Sequence, residues 1–295
     1  MMEKKKVTLS NDETYAYLEK GKGTRDLILI HGNFSSSVWF KPLFEELEDD
    51  YHMIAMDLRG YGDSTYNERI TSLKDLADDV ALFMDELNIE HADVVGWSLG
   101  GGVAMEFAAN YPNKTDKLVL ISSASHKGYP VFKKDENNQI LVGEIYDSPE
   151  AMAKDPLQVA PLLNALQANN FDFVKQIMDM TIYTVKKPSE EEYELYIGDS
   201  MKQRNLPDAD FALASFNMSH EKTLYSEGSG DIDNIGAECL HIWGENDATV
   251  PEHMVKENVN AMDDSEYIKY ENCGHAPLVD KPKMLADDIK TFLNT

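Results

Sequence analysis

The sequence predicts an α/β fold in which a parallel sheet is covered by helices and interrupted by one helical insertion. Short apolar runs that lack polar alternation are typical of strands buried on both faces of a sheet. These runs alternate with helical stretches, which is the βαβ order of an α/β fold. The chain has 295 residues, of which 42% are apolar, so it can bury a core without disulfides or metals.

The first elements are strands. Residues 7–18 predict a β-hairpin, because Val7 and Leu9 alternate with polar residues and Asn11-Asp12 can form the turn. Buried strands are then expected at residues 26–30, 53–56, 92–95 and 118–121. Each of these runs ends at a polar or glycine residue, which marks where the chain leaves the sheet.

Helices are expected between these strands. Residues 73–87 place apolar side chains at spacings of three and four, and Ser72 is suited to cap the first turn. Residues 99–110 predict a second helix, which ends before Pro112. Together with the strands, these helices make residues 1–125 the first part of an α/β core.

The alternation stops after Ser125 and resumes near residue 237. We interpret residues 126–236 as a helical cap insertion and residues 237–295 as the second part of the core. The second part should contain a buried strand at 239–243, a helix at 252–262, a strand at 266–270 and a helix at 281–293. A chain of 295 residues is long enough for about two domains, or for one large domain that contains an insertion. The division proposed here is the second of these.

The charge balance excludes several functions. There are 27 Lys and Arg residues against 53 Asp and Glu residues, a net charge of −26, which would repel the phosphates of nucleic acids and anionic membranes. The N-terminus shows no secretory signal and no run of about 18 apolar residues occurs, so we expect a cytoplasmic protein without membrane insertion. No metal-ligand or dinucleotide motif is evident, so we expect no cofactor and no metal.

A nucleophile motif lies between a predicted strand and a predicted helix. Gly96-Trp97-Ser98-Leu99-Gly100 fits G-x-S-x-G, in which a serine occupies a tight strand-to-helix turn and the small neighbours let the chain pass closely. The helix that follows directs its positive N-terminus toward a developing anion. Ser98 is therefore the candidate nucleophile.

A serine hydroxyl needs a base, and the base needs an orienting carboxylate. Of the eight histidines, His275 is the one between a C-terminal strand and the last helix. The carboxylate should follow the strand at 239–243, where Asp247 is preferred and Glu245 is the alternative. The chain order Ser98, Asp247, His275 is that of one known arrangement of this triad.

These motifs together resemble the α/β-hydrolase fold superfamily. The resemblance depends on His31-Gly32-Asn33, Asp57 to Ser64, the Ser98 motif, Gly244 to Asp247 and Gly274-His275, in this order. It implies a mostly parallel eight-stranded sheet with a helical cap. It also implies an oxyanion hole formed by the backbone N–H groups of Asn33 and Leu99.

The resemblance is specific to the fold and less specific to the substrate. Residues 31–36, 96–99 and 274–277 are also similar to N-acyl-homoserine lactone lactonases of this superfamily. His-Gly-Asn occurs in haloalkane dehalogenases as well, but those enzymes use Asp as the nucleophile, where this chain has Ser98. We therefore predict a serine hydrolase rather than a dehalogenase or an epoxide hydrolase.

The predicted function is the hydrolysis of small carboxylic esters or lactones through an acyl-enzyme. The alternatives are an acyl-homoserine lactone lactonase, a carbon–carbon bond hydrolase and a perhydrolase, all with the same triad; a ligand receptor is the alternative outside enzymes. The protein is expected to be a monomer or a homodimer. An apolar substrate pocket is expected from seven residues: Phe34, Trp97, Met178, Tyr183, Phe211, Phe216 and Met218.

Overall fold

The computed structural model describes residues 3–47 and 49–295, and ten strands occur in this part of the chain. The strands are β1 (Lys5–Thr8), β2 (Thr14–Lys20), β3 (Asp26–Ile30), β4 (His52–Met56), β5 (Ala92–Trp97), β6 (Thr115–Ile121), β7 (Phe132–Lys134), β8 (Ile140–Ile145), β9 (Glu238–Gly244) and β10 (Ser265–Tyr270). Eight of them form one sheet in the order β1-β2-β4-β3-β5-β6-β9-β10. β2 is antiparallel to both of its neighbours, and the other neighbouring strands are parallel. The predicted eight-stranded, mostly parallel sheet is confirmed.

Helices cover both faces of this sheet. They are α1 (Lys41–Leu47), α2 (Leu73–Glu86), α3 (Leu99–Asn110), α4 (Pro149–Met152), α5 (Ala160–Gln167), α6 (Phe171–Thr181), α7 (Glu190–Ser200), α8 (Leu206–Ser215), α9 (Glu252–Ala261), α10 (Pro277–Asp280) and α11 (Pro282–Leu293), with 3₁₀ turns at Ser37–Phe40, Pro112–Lys114 and Asp231–Asn234. The predicted cap of α2 is present, because the Ser72 hydroxyl accepts from the Asp75 N–H and the Asp75 carboxylate accepts from the Ser72 N–H. This reciprocal pair satisfies two donors at the start of the helix.

Side chains of the parallel strands alternate between two apolar cores. Ile28 and Ile30 pack with residues of α2 and α3, whereas Leu27 and Leu29 pack with residues of α1 and α11. All four side chains are fully buried. Because neither face of β3 meets water, its apolar run is continuous rather than alternating.

The insertion is not wholly helical, which corrects the prediction. It begins with an antiparallel hairpin of β7 and β8, whose turn is closed by Asp135: its carboxylate accepts from the N–H groups of Asn137 and Gln139, each at 2.8 Å. The helical interpretation missed it because the hairpin is short and Val142 on β8 is 82% exposed, so its hydrophobic pattern does not report a buried face.

The insertion shares both cores of the sheet domain. Val174 and Tyr196 pack with Trp39 and Trp97 on one side, and Met218 packs among residues of α2 and α3 on the other. The division of the chain at residues 126 and 236 therefore stays a prediction. Within the described part of the chain, every helix is too short or too polar to cross a lipid bilayer.

Candidate active site

Ser98 occupies a sharp turn between β5 and α3. Its backbone has φ 56° and ψ −120°, a positive-φ conformation that is costly for a residue with a side chain and is often found at functional sites. A Cβ at Gly96 would lie 2.4 Å from the carbonyl oxygen of Gly100, so only glycine permits the strand and the helix to approach this closely. The predicted strand–turn–helix context of the serine is thus present.

His275 and Asp247 form a buried hydrogen-bonded pair. The Nδ1 atom of His275 lies 2.8 Å from Oδ2 of Asp247, and the side chains are 2% and 0% exposed. The other carboxylate oxygen of Asp247 accepts from the N–H groups of Thr249 and Val250, both at 2.8 Å. With Nδ1 donating to the fixed carboxylate, Nε2 is the nitrogen of His275 left to receive a proton.

The alternative carboxylate, Glu245, belongs to a different set of contacts. Its Oε1 accepts from the N–H of Asn272 at 2.7 Å, and the residue is exposed. Glu245 therefore braces the loop that leads to His275, while Asp247 is the carboxylate in contact with the imidazole.

The loop after β3 passes directly beside Ser98. A Cβ at Gly32 would lie 2.9 Å from the Cβ of Ser98, which brings the following residue, Asn33, to the nucleophile. Leu99 is the first residue of α3, so its N–H has no partner inside the helix. The oxyanion hole formed by the N–H groups of Asn33 and Leu99 stays a prediction.

His31 holds this loop in place. Its Nε2 accepts from the backbone N–H of Leu58 at 3.0 Å, and its Nδ1 donates to the carbonyl oxygen of Gly32 at 2.7 Å. Burial lowers the pKa of His31 to about 4, so the ring is neutral at physiological pH. His31 positions the chain that leads to Asn33.

A cavity of about 210 Å³ opens onto these groups. Ser98, His275 and Asn33 line it, together with three of the seven residues predicted for the pocket, Phe34, Trp97 and Met178. Most of the remaining wall is apolar, as is usual for a site that binds small molecules.

The other four predicted pocket residues lie outside the walls of this cavity. Tyr183 is stacked on Trp39, with ring centroids 5.6 Å apart. Phe211 instead packs edge-on against Tyr225. Phe216 and Met218 belong to the core beneath α3. The prediction was wrong for these four because it was based on their apolar character, which serves packing as well as it serves ligand binding.

The sequence analysis also missed residues of the wall. Trp39, Tyr129 and Asp210 line the cavity, but none of them lies in a recognisable motif. For Asp210 the sequence carries one signal: Leu206, Asp210 and Leu213 are spaced as on one face of a helix. In the structure all three line the cavity. The pattern could not indicate that this face of α8 meets the cavity.

Within the described residues, no cluster of three or more His, Cys, Asp or Glu side chains is arranged to hold a metal ion. Cys273, two residues before His275, is buried, and burial raises the pKa of its thiol well above the usual range. The Cys273 thiol is therefore uncharged and unreactive at neutral pH.

Comparisons with known proteins identify the family of the chain. The sequence model of the family described as alpha/beta hydrolase fold matches residues 27–282. An uncharacterised protein of Mycobacterium tuberculosis is 27% identical over 277 residues, covering 91% of this chain and 75% of that protein. The pimeloyl-[acyl-carrier protein] methyl ester esterase of Vibrio atlanticus is 25% identical over 291 residues, covering 95% of this chain and 98% of the esterase.

Solved structures show the same fold at lower identity. An esterase from Exiguobacterium antarcticum superposes with a TM-score of 0.74 at 17% identity, covering 98% of this chain and 99% of that chain. The enol-lactonase of Burkholderia xenovorans gives a TM-score of 0.75 at 14% identity, covering 99% and 100% of the two chains. At these identities the likeness concerns the fold alone.

Proposed function

The chain belongs to the alpha/beta hydrolase fold family, and from that premise we propose that it is a cofactor-independent serine hydrolase of carboxylic esters or lactones. The resemblance to this superfamily, which was inferred from the motifs, is confirmed, and so is the assignment of the protein as an enzyme. The observation that supports the specific chemistry is the buried His275–Asp247 pair at 2.8 Å, which shares a cavity with Ser98.

In the proposed first step, Ser98 Oγ attacks the acyl carbon of the substrate. His275 accepts the serine proton on Nε2, because Nδ1 donates to Asp247, and the carboxylate stabilises the imidazolium that forms. The N–H groups of Asn33 and Leu99 donate to the oxyanion. His275 then returns the proton to the leaving alcohol, and an acyl-enzyme on Ser98 remains.

In the second step, water replaces the alcohol. His275 removes a proton from the water, the hydroxide attacks the acyl-enzyme, and Ser98 leaves with the proton returned by His275. A lactone follows the same route, except that its alcohol stays attached to the acyl group. The apolar wall of the cavity favours an acyl chain without charge.

A hydrolysis screen tests this proposal. The substrates are p-nitrophenyl acetate, butyrate and octanoate, together with γ-lactones with and without an N-acyl chain, and the control is Ser98→Ala. We expect turnover of the esters, of the lactones or of both, and a loss on the order of 10⁴-fold in kcat for the variant. If folded wild-type protein hydrolyses none of them, or if Ser98→Ala retains its activity, the proposal is wrong.

A further inference from the structure

One carboxyl group lies in the mostly apolar wall of the cavity. Asp210 is on α8, one turn after Leu206 and one turn before Leu213, and all three residues line the cavity beside Ser98. Among the described residues of the wall, Asp210 is the only carboxyl group. The proposed reaction does not use it.

The side chain of Asp210 is held by a rigid partner. Its Oδ1 accepts from the Nδ2 of Asn33 at 2.7 Å. The oxygen of the same amide accepts from the Tyr61 hydroxyl and from the Gln203 amide, each at 2.9 Å. Because these contacts orient the Asn33 amide, its hydrogen bond orients the carboxyl group of Asp210, and the second oxygen of Asp210 is left for other donors.

The second oxygen of Asp210 is open. Within the described part of the chain, Asn33 is the only hydrogen-bond donor to Asp210, and no cation lies within ion-pair distance of it. The three hydroxyl groups of the wall other than Ser98 donate elsewhere: Tyr129 to Thr249 O, Thr249 to Thr181 O and Thr181 to Ile177 O. Among the described residues, none therefore donates a hydrogen bond to this oxygen.

An acceptor oxygen without a protein donor, in a mostly apolar wall, can accept a hydrogen bond from a molecule that enters the cavity. Burial raises the pKa of Asp210 to about 7, so the carboxylate and the neutral acid coexist at neutral pH. Both forms present an acceptor oxygen to the cavity. A ligand that brings a donor into the cavity therefore has a matching acceptor in Asp210.

The location of Asp210 relates this site to the reacting bond. Its partner Asn33 follows Gly32, where the chain nearly touches Ser98. Asn33 thus connects Asp210 to the loop beside Ser98, and both Ser98 and Asp210 line the cavity. We therefore expect a donor a few bonds from the scissile carbonyl to reach Asp210.

We propose that Asp210 recognises a neutral hydrogen-bond donor of the substrate, a hydroxyl or an amide N–H close to the scissile carbonyl. This inference rests on the proposed ester or lactone hydrolysis and adds the substrate class, namely hydroxyacyl or N-acylamino esters and lactones. A pocket built to bond one polar group rejects analogues that lack it more strongly than an apolar pocket discriminates by size.

Two pairs of isosteric p-nitrophenyl esters test the inference. In the first pair 3-hydroxybutyrate is compared with 3-methylbutyrate, so that a hydroxyl replaces a methyl group. In the second pair N-acetylglycine is compared with 4-oxopentanoate, so that an N–H replaces a methylene. For wild-type protein we expect kcat/KM to favour the donor ester by about tenfold or more in at least one pair, and the two pairs distinguish hydroxyl from amide.

Asp210→Asn and Asp208→Asn are the matched variants. Asparagine at 210 can still accept from Asn33, but it presents an NH₂ group to the cavity, so the preference for the donor ester should disappear or reverse. Asp208 lies on the same helix outside the cavity, where it accepts from Tyr66 and Arg69, and its variant should keep the wild-type ratio. If Asp210 only holds Asn33 in place, Asp210→Asn will lower kcat/KM for all four esters equally.

Binding to Ser98→Ala provides a measurement that does not need turnover. The methyl esters of the same four acids are titrated by calorimetry, and we expect the donor ligand of a pair to bind about tenfold more tightly. Equal affinities within both pairs, or an unchanged ratio of rates in Asp210→Asn, would overturn the inference about Asp210. Absence of any hydrolysis would overturn only the proposed function, because the binding ratio is still measured.

Discussion

The indole Nε1 of Trp97 donates a hydrogen bond to the carbonyl oxygen of His275 at 2.9 Å. Trp97 is the residue before the candidate nucleophile, and His275 is the candidate base, 178 residues further along the chain. The two rings also lie close, with centroids 5.6 Å apart. This contact joins the last residue of β5 to the loop after β10, so it constrains the position of His275 relative to Ser98.

The contact predicts an effect on the rate of the chemical step. Trp97→Phe keeps an aromatic ring but removes the donor, so the loop of His275 should shift and kcat for p-nitrophenyl acetate should fall on the order of tenfold. KM should change less, because one ring replaces another in the wall. Thermal unfolding of the variant controls for loss of fold, and an unchanged kcat would show that the contact does not position His275.

The choice between two carboxylates can be tested by one conservative change at each. Asp247→Asn should lower kcat by about 10²-fold to 10⁴-fold, because the amide favours the wrong tautomer of His275. Glu245→Gln should stay within about threefold of wild type, since the Glu245 side chain contacts Asn272 rather than the imidazole. Steady-state kinetics with one ester decides the matter, and the opposite ranking would assign the role to Glu245.

Two buried methionines of the insertion should differ in their effects. Met178 lines the cavity, so Met178→Ala should change the ratio of kcat/KM between octanoate and acetate esters by about tenfold or more. Met218 is fully buried beneath α3. Met218→Ala should leave that ratio unchanged and lower the free energy of unfolding by about 2–5 kcal/mol.

Substrate profiles and urea unfolding of both variants check this prediction. A changed profile in Met218→Ala, together with an unchanged profile in Met178→Ala, would mean that the cavity is not the acyl site.

The stability of the protein should depend on pH through His241. Its pKa is lowered to about 4 by burial, and one ring nitrogen, Nδ1, has no partner among the described residues. The unfolded chain protonates this histidine near pH 6.5, so the stability from the neutral ring is present above that pH and declines as the pH falls toward 4.

His241→Leu removes this dependence. Between pH 7 and pH 5, wild-type protein should lose about 2 kcal/mol more unfolding free energy than the variant. Urea unfolding of both proteins at the two pH values measures the difference. Equal losses would mean that His241 takes up its proton in the folded protein.

Local sequence was sufficient to predict the sheet, its main helices and the turn at Ser98. The apolar run at 26–30 predicts a strand buried on both faces, because it is short and is followed by His31-Gly32. The turn is equally local, since Gly96 meets Gly100 only four residues away. Contacts between near neighbours can be inferred from the order of the residues alone.

The hairpin of the insertion and the residues of the cavity could not be predicted in this way. Asn33 and Asp210 are 177 residues apart, and no motif relates the two positions. Trp39 stacks on Tyr183 through packing of the insertion on the core. Such contacts depend on how helices and strands pack against one another, and the hydrophobic pattern of a single helix or strand does not indicate this.

Helix α8 separates most clearly what could be predicted from the sequence and what depends on tertiary packing. The α/β sheet and the strand-to-helix turn at Ser98 can be predicted from the order of the residues, because both depend on neighbouring residues. It also indicated apolar residues in the insertion, among which Phe211 was expected in the pocket. The tertiary structure instead places the adjacent Asp210 there. Successive residues of a helix point about 100° apart, so the docking of α8 on the core decided which of the two faces the cavity.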